Sequence, residues 1–398
     1  MPNQLKYYPV DNGDQTLITV EENSTTTNIL VDCNIRECSK DEDDPSMYDV
    51  KKDLIQSLQK KSIGLVTKVS FVDVFVLTHG DLDHLRGFEK NFYQGNPKDF
   101  KQKHKDDELI FIDTLWFSPM VMGSATNDDE RCFNKEAKRR IKLHQDKSPD
   151  RDLPGNRIAI IGYDGNEDLD GLNLVRYIPG QVVTRFNNKD LKTFSIFIHS
   201  PYQQQLSDEE VDKNRVSLVF QARFKNTSLS TDFCTLAMFC GDANYEAIKT
   251  ILEKTKKYKN DTKEKALQWD IMIAPHHCSW TFFNDTKQED HPDPMPTSLE
   301  FLDNHRKGAK IIASCKPIED NDDDPPHYAA KQEYLKKLDK VSDFLNTAIE
   351  PEPDSPQPIV FIVTPNGPSK APTSSKGGAI TSGGKTGASG AIITQGQY

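Results

Sequence analysis

Four side chains of types that bind metal ions lie within six residues of one another, directly after a short apolar segment. They are His79, Asp81, Asp83 and His84, and the preceding run 72–77 is typical of a buried strand. A tight loop after a strand brings imidazole and carboxylate groups together, so this spacing indicates a site for one or two divalent ions. The alternative is a solvated turn in which the two aspartates only cap the next helix.

Two further apolar runs end in groups of the same kind. Asp242 follows the run 236–240, and His276 and His277 follow the run 271–274. Taken singly, an aspartate after a glycine is a common turn residue, and one member of a histidine pair is often structural. Because the ends of several strands can meet at one edge of a sheet, their shared placement favours a single site.

The elements that must position these groups alternate between β-type and helical hydrophobic spacing. We predict strands at 6–10, 16–20, 27–32, 72–77, 109–117, 194–199, 216–224, 233–240, 270–274, 310–314 and 359–364. We predict helices at 49–61, 127–147, 245–257, 297–307 and 328–345. Strands and helices mixed in this order predict an α/β layered domain.

The composition places limits on this domain. The 398 residues carry a formal charge of -11 and are only 35% hydrophobic, so part of the chain must lie outside a packed core. We assign the polar surplus to the acidic stretch 39–47, a charged insertion at about 91–175, and the Gly/Ser-rich residues 367–398. The last segment is expected to be a disordered tail, which leaves 1–366 as one domain.

Targeting signals are not evident. The first residues lack the basic and apolar regions of a secretory signal, and no apolar run approaches the roughly 20 residues of a membrane helix. The seven cysteines are scattered, odd in number and without a paired zinc spacing. We therefore expect reduced thiols, a cytoplasmic location and no membrane association.

The ordered motifs resemble those of the metallo-β-lactamase superfamily. The stretch 79–84, His-Gly-Asp-Leu-Asp-His, is similar to its His-x-His-x-Asp-His signature, with the aspartate variant found in the hydrolase domain of the DNA-uptake competence protein ComEC and its stand-alone relatives. Similar elements occur in the same order at 11–15, 29–33, 214–219, 241–242 and 275–279. This resemblance spans about residues 4–345. It implies an α/β fold of the αβ/βα sandwich type, with two mixed β-sheets flanked by helices.

The resemblance also implies roles for the residues. One divalent ion, Zn²⁺ or Mn²⁺, would be held by His79 and Asp81 and a second by Asp83 and His84, with Asp242 between them. One of the histidines 276 and 277 would complete the second site. Asp32 would orient the ligands from behind, by hydrogen bonds to them. Asn214 falls near the position of a third histidine that many members of the superfamily have. Cys278 replaces a glycine, either as a packing residue or as one that crowds the site.

Two more residues are candidates for a role beside the ions. His327 lies where relatives carry a histidine before the last helix, and it either protonates a leaving group or simply begins that helix. We take it, with Asp83, as a catalytic candidate. Asp14 either bonds near the metal centre or serves the turn in which it lies, whereas His199 is expected to be a loop residue.

The expected activity is metal-dependent hydrolysis of a phosphodiester, most naturally by a nuclease acting on DNA. The helix at 127–147 carries six cations between 131 and 142, which either bind the nucleic-acid backbone or form an ordinary solvated face with the interleaved acids. Two alternatives stay open: a hydrolase of a small phosphodiester or nucleotide, and a non-catalytic partner-binding subunit with a degenerate metal site. Protein partners from a multi-component, defence-type system are a further hypothesis.

Overall fold

A computed structural model of the protein describes residues 2–372 apart from positions 38–46, 124, 163–168, 170, 203–215, 258–264, 288–291 and 321–323. Asn214, Cys38, His291 and most of the acidic stretch 39–47 therefore lie outside the described residues. The six cysteines within the described part are all free thiols, consistent with the reduced state expected of them. Among the described residues, no helix is long and apolar enough to cross a membrane.

The first sheet has ten strands in the order β20-β19-β1-β2-β3-β6-β7-β8-β9, with β5 paired to β6. Its strands are β1 (Gln4–Tyr7), β2 (Thr16–Glu22), β3 (Thr25–Val31), β5 (Lys60–Ile63), β6 (Val66–Val76), β7 (Phe111–Phe117), β8 (Arg157–Ile161), β9 (Val175–Tyr177), β19 (Ile359–Thr364) and β20 (Gly367–Lys370). A two-residue strand, β4 (Cys33–Asn34), continues beyond β3. The strands from β3 to β9 along this order are parallel, so their carboxyl ends share one edge.

The second sheet has seven strands in the order β10-β13-β14-β15-β16-β17-β18. They are β10 (Val182–Val183), β13 (Phe194–Ile198), β14 (Phe220–Phe224), β15 (Thr235–Phe239), β16 (Trp269–Ile273), β17 (His305–Ala313) and β18 (Phe344–Asn346). β15, β16, β17 and β18 are parallel. A separate hairpin joins β11 (Arg185–Phe186) to β12 (Lys189–Asp190).

The two sheets pack face to face, and helices cover their outer faces. The helices are α1 (Val50–Ser57), α2 (Leu82–Leu85), α3 (Phe88–Asn91), α4 (Gln102–Asp106), α5 (Asp128–Gln145), α6 (Tyr245–Lys256), α7 (Pro296–Leu302) and α8 (Tyr328–Lys337). Alternation along the strands explains the layers: Ile18 enters the core between the sheets, whereas its neighbour Leu17 joins the core beneath α1 and α5. A third core lies between the second sheet and α6, α7 and α8. The predicted sandwich of two mixed sheets flanked by helices is confirmed.

The segment 91–175 is part of this sandwich and not an appended insertion. It supplies β7 and β8, whose residues are almost entirely buried, and the helix α5. Arg140 of α5 is buried, pairs with Glu136 at 2.7 Å, and donates to the main-chain oxygens of Ile112 and Asp113. Arg139 also pairs with Glu136. Two of the six cations counted from the sequence therefore hold the fold together, which argues against α5 as a free basic surface.

The boundary drawn at residue 366 falls inside a hairpin. Strands β19 and β20 pair in antiparallel register from Phe361 with Lys370 to Thr364 with Gly367, so the first residues assigned to the tail extend the sheet. Gly367 has a φ of +112°, a conformation that a glycine tolerates and that closes the turn. The strand β20 could not be predicted from its hydrophobicity, because an edge strand of a hairpin buries little apolar surface of its own. Residues 373–398 lie outside the described part of the chain.

Candidate metal centre

Strand ends from both sheets meet at one edge of the sandwich and carry the candidate ligands. Asp32 follows β3, Thr78 and His79 follow β6, Asp242 follows β15, and the turn 275–278 follows β16. The main chain links these pieces directly: the amide of His276 donates to the carbonyl oxygen of Gly241 at 3.0 Å. The structure thus brings together all seven residues proposed from the sequence as ligands.

Asp242 lies at the middle of the group, with each of its two oxygens facing a different set of histidines. Its Oδ2 is 3.3 Å from Nε2 of His79 and 3.7 Å from Nε2 of His276. Its Oδ1 is 3.0 Å from Nε2 of His84 and 3.7 Å from Nε2 of His277. A carboxylate placed in this way could bridge two ions.

The set facing Oδ1 includes Asp83. His277 lies 2.9 Å from the Asp83 carboxylate and 3.2 Å from Nε2 of His84. Ligand atoms of Asp83, His84 and His277 all fall within 4.8 Å of one another, as do those of His79, His84 and Asp242. His277, and not His276, is therefore the histidine that lies beside Asp83 and His84.

The set facing Oδ2 contains His79, Asp81 and His276. The Asp81 carboxylate lies 3.7 Å from Nε2 of His79 and is partly exposed. His276 thus lies on the same side of Asp242 as His79, where it could provide the third imidazole that the resemblance implies. Sequence reasoning missed this because adjacent histidines in an ordinary strand or helix do not face two neighbouring sites.

The backbone of the turn explains how adjacent histidines reach opposite sides of Asp242. His276, His277 and Cys278 have φ values of +50°, +52° and +68°, three successive left-handed residues. Such conformations cost about 1 kcal/mol or more for each residue that is not glycine, and this kind of strain is concentrated at functional sites. Cys278 is fully buried in the core beneath α8 and is therefore a packing residue.

Asp32 holds the metal-binding loop from behind. It is fully buried, adopts a φ of +54°, and accepts hydrogen bonds from the amide and the hydroxyl of Thr78, each at 2.7 Å. Its Oδ2 also lies 2.9 Å from Nδ1 of His84, which leaves Nε2 of that ring facing Asp242. Orienting partners of this kind are typical of metal-binding histidines. The position agrees with the role that the resemblance implied for Asp32.

The loop 11–15 supplies contacts that the sequence did not reveal. The amide of Gly13 lies 3.2 Å from Nδ1 of His277, and the carbonyl oxygen of Ser314 lies 3.1 Å from the same nitrogen. Ser314 in turn donates its hydroxyl proton to the carbonyl oxygen of Gly13 at 2.6 Å. Asp14 is buried beside His277, and burial raises the pKa of its carboxyl group to about 6.

The site also contains polar atoms whose bonding is incomplete. Nε2 of His79, Oδ1 of Asp242 and Oδ1 of Asp14 are buried without an aligned hydrogen bond, although charged groups approach closely. Buried groups of this kind are costly unless something else satisfies them. Imidazole and carboxylate donors that converge in this way fit divalent ions such as Zn²⁺ and Mn²⁺.

Two other histidines of the described part of the chain were singled out from the sequence, His327 and His199. His327 precedes α8, and its amide donates to the carbonyl oxygen of Cys278 at 3.0 Å, which ties it to the histidine turn. His199 directly follows β13, outside the strand as expected, but it is fully buried against Phe197, with Nε2 2.9 Å from the carbonyl oxygen of Ala266. Burial lowers the pKa of His199 to about 3, so it remains neutral and structural.

We predict that metal binding releases protons near neutral pH. Burial alone would lower the pKa of His277, but the nearby carboxylates of Asp242, Asp83 and Asp14 raise it to about 9. Burial would also lower the pKa of His84, but Asp242 and Asp32 hold it well above its ordinary value. Nε2 of His84 and Nε2 of His277 lie 3.2 Å apart, so these two atoms cannot both carry a proton, but the surrounding carboxylates favour a proton on this pair that a bound ion must displace. Metal affinity should therefore increase with pH up to about 9, with about one proton released at pH 7.

Calorimetric titration of Mn²⁺ in two buffers with different heats of ionisation measures this release. A binding heat that does not depend on the buffer would contradict the prediction.

Comparisons with known proteins add little to this geometry. No protein-family model matches the chain, and no curated protein matches it. One solved structure that the search found is a long form RNase Z from yeast, with 12% sequence identity and a TM-score of 0.29. The match covers 81% of this chain and 40% of that protein, so the chain spans less than half of its length.

Proposed function

We propose that this protein is a metal-dependent phosphodiesterase, with DNA as its leading substrate. The observation that carries the proposal is the position of Asp242, whose two oxygens face two separate sets of histidines and carboxylates. One set is His79, Asp81 and His276, and the other is Asp83, His84 and His277. The complete sets argue against the alternative of a degenerate, non-catalytic centre.

The chemistry follows from the ligands. Bound divalent ions lower the pKa of coordinated water and stabilise charge on the oxygens of a phosphoryl group. The protein contributes a fixed, largely buried cradle with three carboxylates and four imidazoles, which suits Mn²⁺ as well as Zn²⁺. Phosphodiesters are favoured as substrates because both non-bridging oxygens of one phosphate can face the two sets. The choice of DNA rests on the motifs shared with the ComEC-type hydrolase domain.

His327 is proposed to donate a proton to the leaving oxygen. Its Nδ1 accepts a hydrogen bond from the amide of Trp280 at 3.1 Å, so a neutral ring carries its proton on Nε2. This hydrogen bond leaves Nε2 as the donor of the ring. The hydrogen bond from the amide of His327 to the carbonyl oxygen of Cys278 keeps the residue beside the turn 275–278, which carries two of the proposed ligands. The assignment remains compatible with its place at the start of α8.

We predict that His327→Gln lowers kcat for an oligonucleotide by about 10²–10⁴-fold, the usual contribution of general acid catalysis. The loss should be much smaller for bis(p-nitrophenyl) phosphate, because p-nitrophenolate departs without a proton. Steady-state kinetics on both substrates measure the difference. Equal losses on the two substrates would show that His327 only positions the turn.

The proposed function is tested with a substrate panel. Purified protein with Mn²⁺ should cleave linear DNA, and excess chelator should abolish the cleavage. The panel also contains RNA, cyclic dinucleotides and bis(p-nitrophenyl) phosphate, and metal content is measured on the same preparation. Undiminished activity in chelator would eliminate the metal mechanism, and cleavage confined to the small molecules would eliminate DNA as the substrate.

A further inference from the structure

A large cavity opens beside the metal-binding loop. It has a volume of about 760 Å³, and its wall includes Leu82, Arg86 and Gly87. Leu82 lies in the chain between two proposed ligands, Asp81 and Asp83, and its side chain is exposed. The cavity therefore adjoins the loop that carries both of these carboxylates, although neither carboxylate is part of its wall.

Arg86 is held firmly by its main chain, whereas its side chain has no partner within the part of the chain that the structure describes. Its carbonyl oxygen accepts a hydrogen bond from the amide of Ile35 at 2.9 Å, and residues 85 and 86 form parallel bridges with Cys33 and Asn34. Among the described residues, its half-buried guanidinium group makes no ion pair and no hydrogen bond. A partly desolvated arginine fork without a carboxylate is suited to binding an external anion.

Most acidic groups on the same wall already have partners. Glu37 pairs with Lys90. Asp129 accepts hydrogen bonds from the amides of Gly87 at 2.9 Å and Glu89 at 2.8 Å. Asp128 pairs with an arginine of α5 outside the cavity wall. These contacts offset the negative charge of the wall and leave the positive charge of Arg86 available to a ligand.

We propose that Arg86 binds a non-scissile phosphate of the substrate. The proposal rests on the proposed phosphodiesterase function and narrows its substrate class. An enzyme with such a contact acts on chains that carry at least two phosphates, such as oligonucleotides, in preference to single phosphodiesters. The planar guanidinium group can contact two phosphate oxygens at once, which a lysine cannot reproduce.

Binding is measured first, because it does not require catalysis. Fluorescence anisotropy of a labelled short oligothymidylate should show that Arg86→Ala weakens binding by about 10–100-fold, the range for hydrogen bonds to charged groups. Arg86→Lys should recover only part of this loss. Lys90→Ala is the matched control, since it removes a cation of the same wall that Glu37 already neutralises, and it should bind almost as tightly as the wild type.

The salt dependence of binding gives a second readout. Loss of one phosphate contact should reduce the slope of log affinity against log salt by about one in Arg86→Ala. Equal affinities for the wild type and Arg86→Ala, or equal losses in Arg86→Ala and Lys90→Ala, would overturn the proposal. Circular dichroism and thermal unfolding establish that each variant is folded.

Kinetics separate this proposal from the proposed function. With Mn²⁺, Arg86→Ala should lose at least about ten-fold more kcat/KM on the oligothymidylate than on the p-nitrophenyl ester of thymidine 5′-phosphate, which has one phosphodiester. Similar losses on both substrates would place Arg86 at the scissile phosphate and overturn the proposal. If the wild type hydrolyses neither substrate, the proposed function fails, while binding that depends on Arg86 would still support an anion site.

Discussion

Replacement of Asp242 by asparagine is expected to reduce metal binding at both sites and to lower phosphodiester hydrolysis by about three orders of magnitude or more. The asparagine side chain keeps the shape of the aspartate but has one oxygen and no charge, so it can no longer face both sets of ligands with a carboxylate. A loss of several kcal/mol of charge stabilisation corresponds to a rate effect of this size. Metal content and kcat/KM of the same preparation provide the measurement.

Asp83→Ala is the matched control for this experiment. Asp83 faces only the set that contains His84 and His277, so this variant should abolish cleavage while retaining about half of the metal. Thermal unfolding in chelator must accompany both variants, because removal of one partner from a buried ion pair also destabilises a protein. Full metal content in Asp242→Asn, or identical metal loss in the two variants, would contradict a bridging role.

The sequence predicted the structure best where the candidate ligands directly follow a regular strand. The metal-binding loop follows a strand that its apolar residues predict, and most predicted strands occur within a few residues of their observed positions. The helix 328–345 was predicted too long, because its end is the short strand β18 at Phe344–Asn346. That strand forms only through its parallel pairing with β17, an interaction that local spacing does not encode.

The errors have a common physical origin in side chains that neutralise one another. The segment 91–175 is rich in charge, but Glu136 pairs internally with Arg139 and Arg140, and Asp113 with Arg157. Charged composition therefore does not indicate exposure when the partners lie on neighbouring elements. The position of His276 and His277 on two sides of Asp242 could not be predicted for a different reason: it depends on a left-handed backbone turn that residue spacing does not reveal.

Gly13 shows how a distant loop can control the metal centre, and its replacement by alanine is the second large effect that we expect. Gly13 has a φ of +140°, and a Cβ atom there would lie 1.9 Å from Nδ2 of Asn34 and 2.5 Å from the main-chain oxygen of Asp83. The Asn34 side chain is buried and bonded to the carbonyl oxygen of Asn12 at 3.0 Å, and the oxygen of Asp83 cannot rotate away. The collision must therefore displace the loop that carries Asp83.

We expect Gly13→Ala to lower the free energy of unfolding by about 3 kcal/mol, the sum of overpacking and an unfavourable backbone conformation. It should also weaken metal binding, because the amide of Gly13 contacts His277 and a displaced Asp83 no longer meets that ring. Urea unfolding and titration with Mn²⁺ measure the two effects.

Gly64→Ala separates collision from backbone strain. Gly64 also has a positive φ, +56°, but nothing lies within 4 Å of the added Cβ atom. This variant should therefore lose only about 1 kcal/mol and keep its metal affinity. If Gly13→Ala lost no more stability than Gly64→Ala and bound Mn²⁺ normally, the loop 11–15 would be a simple turn. A larger loss together with weaker metal binding would instead show that the chain needs a glycine at position 13 to hold Asp83 and His277 against each other.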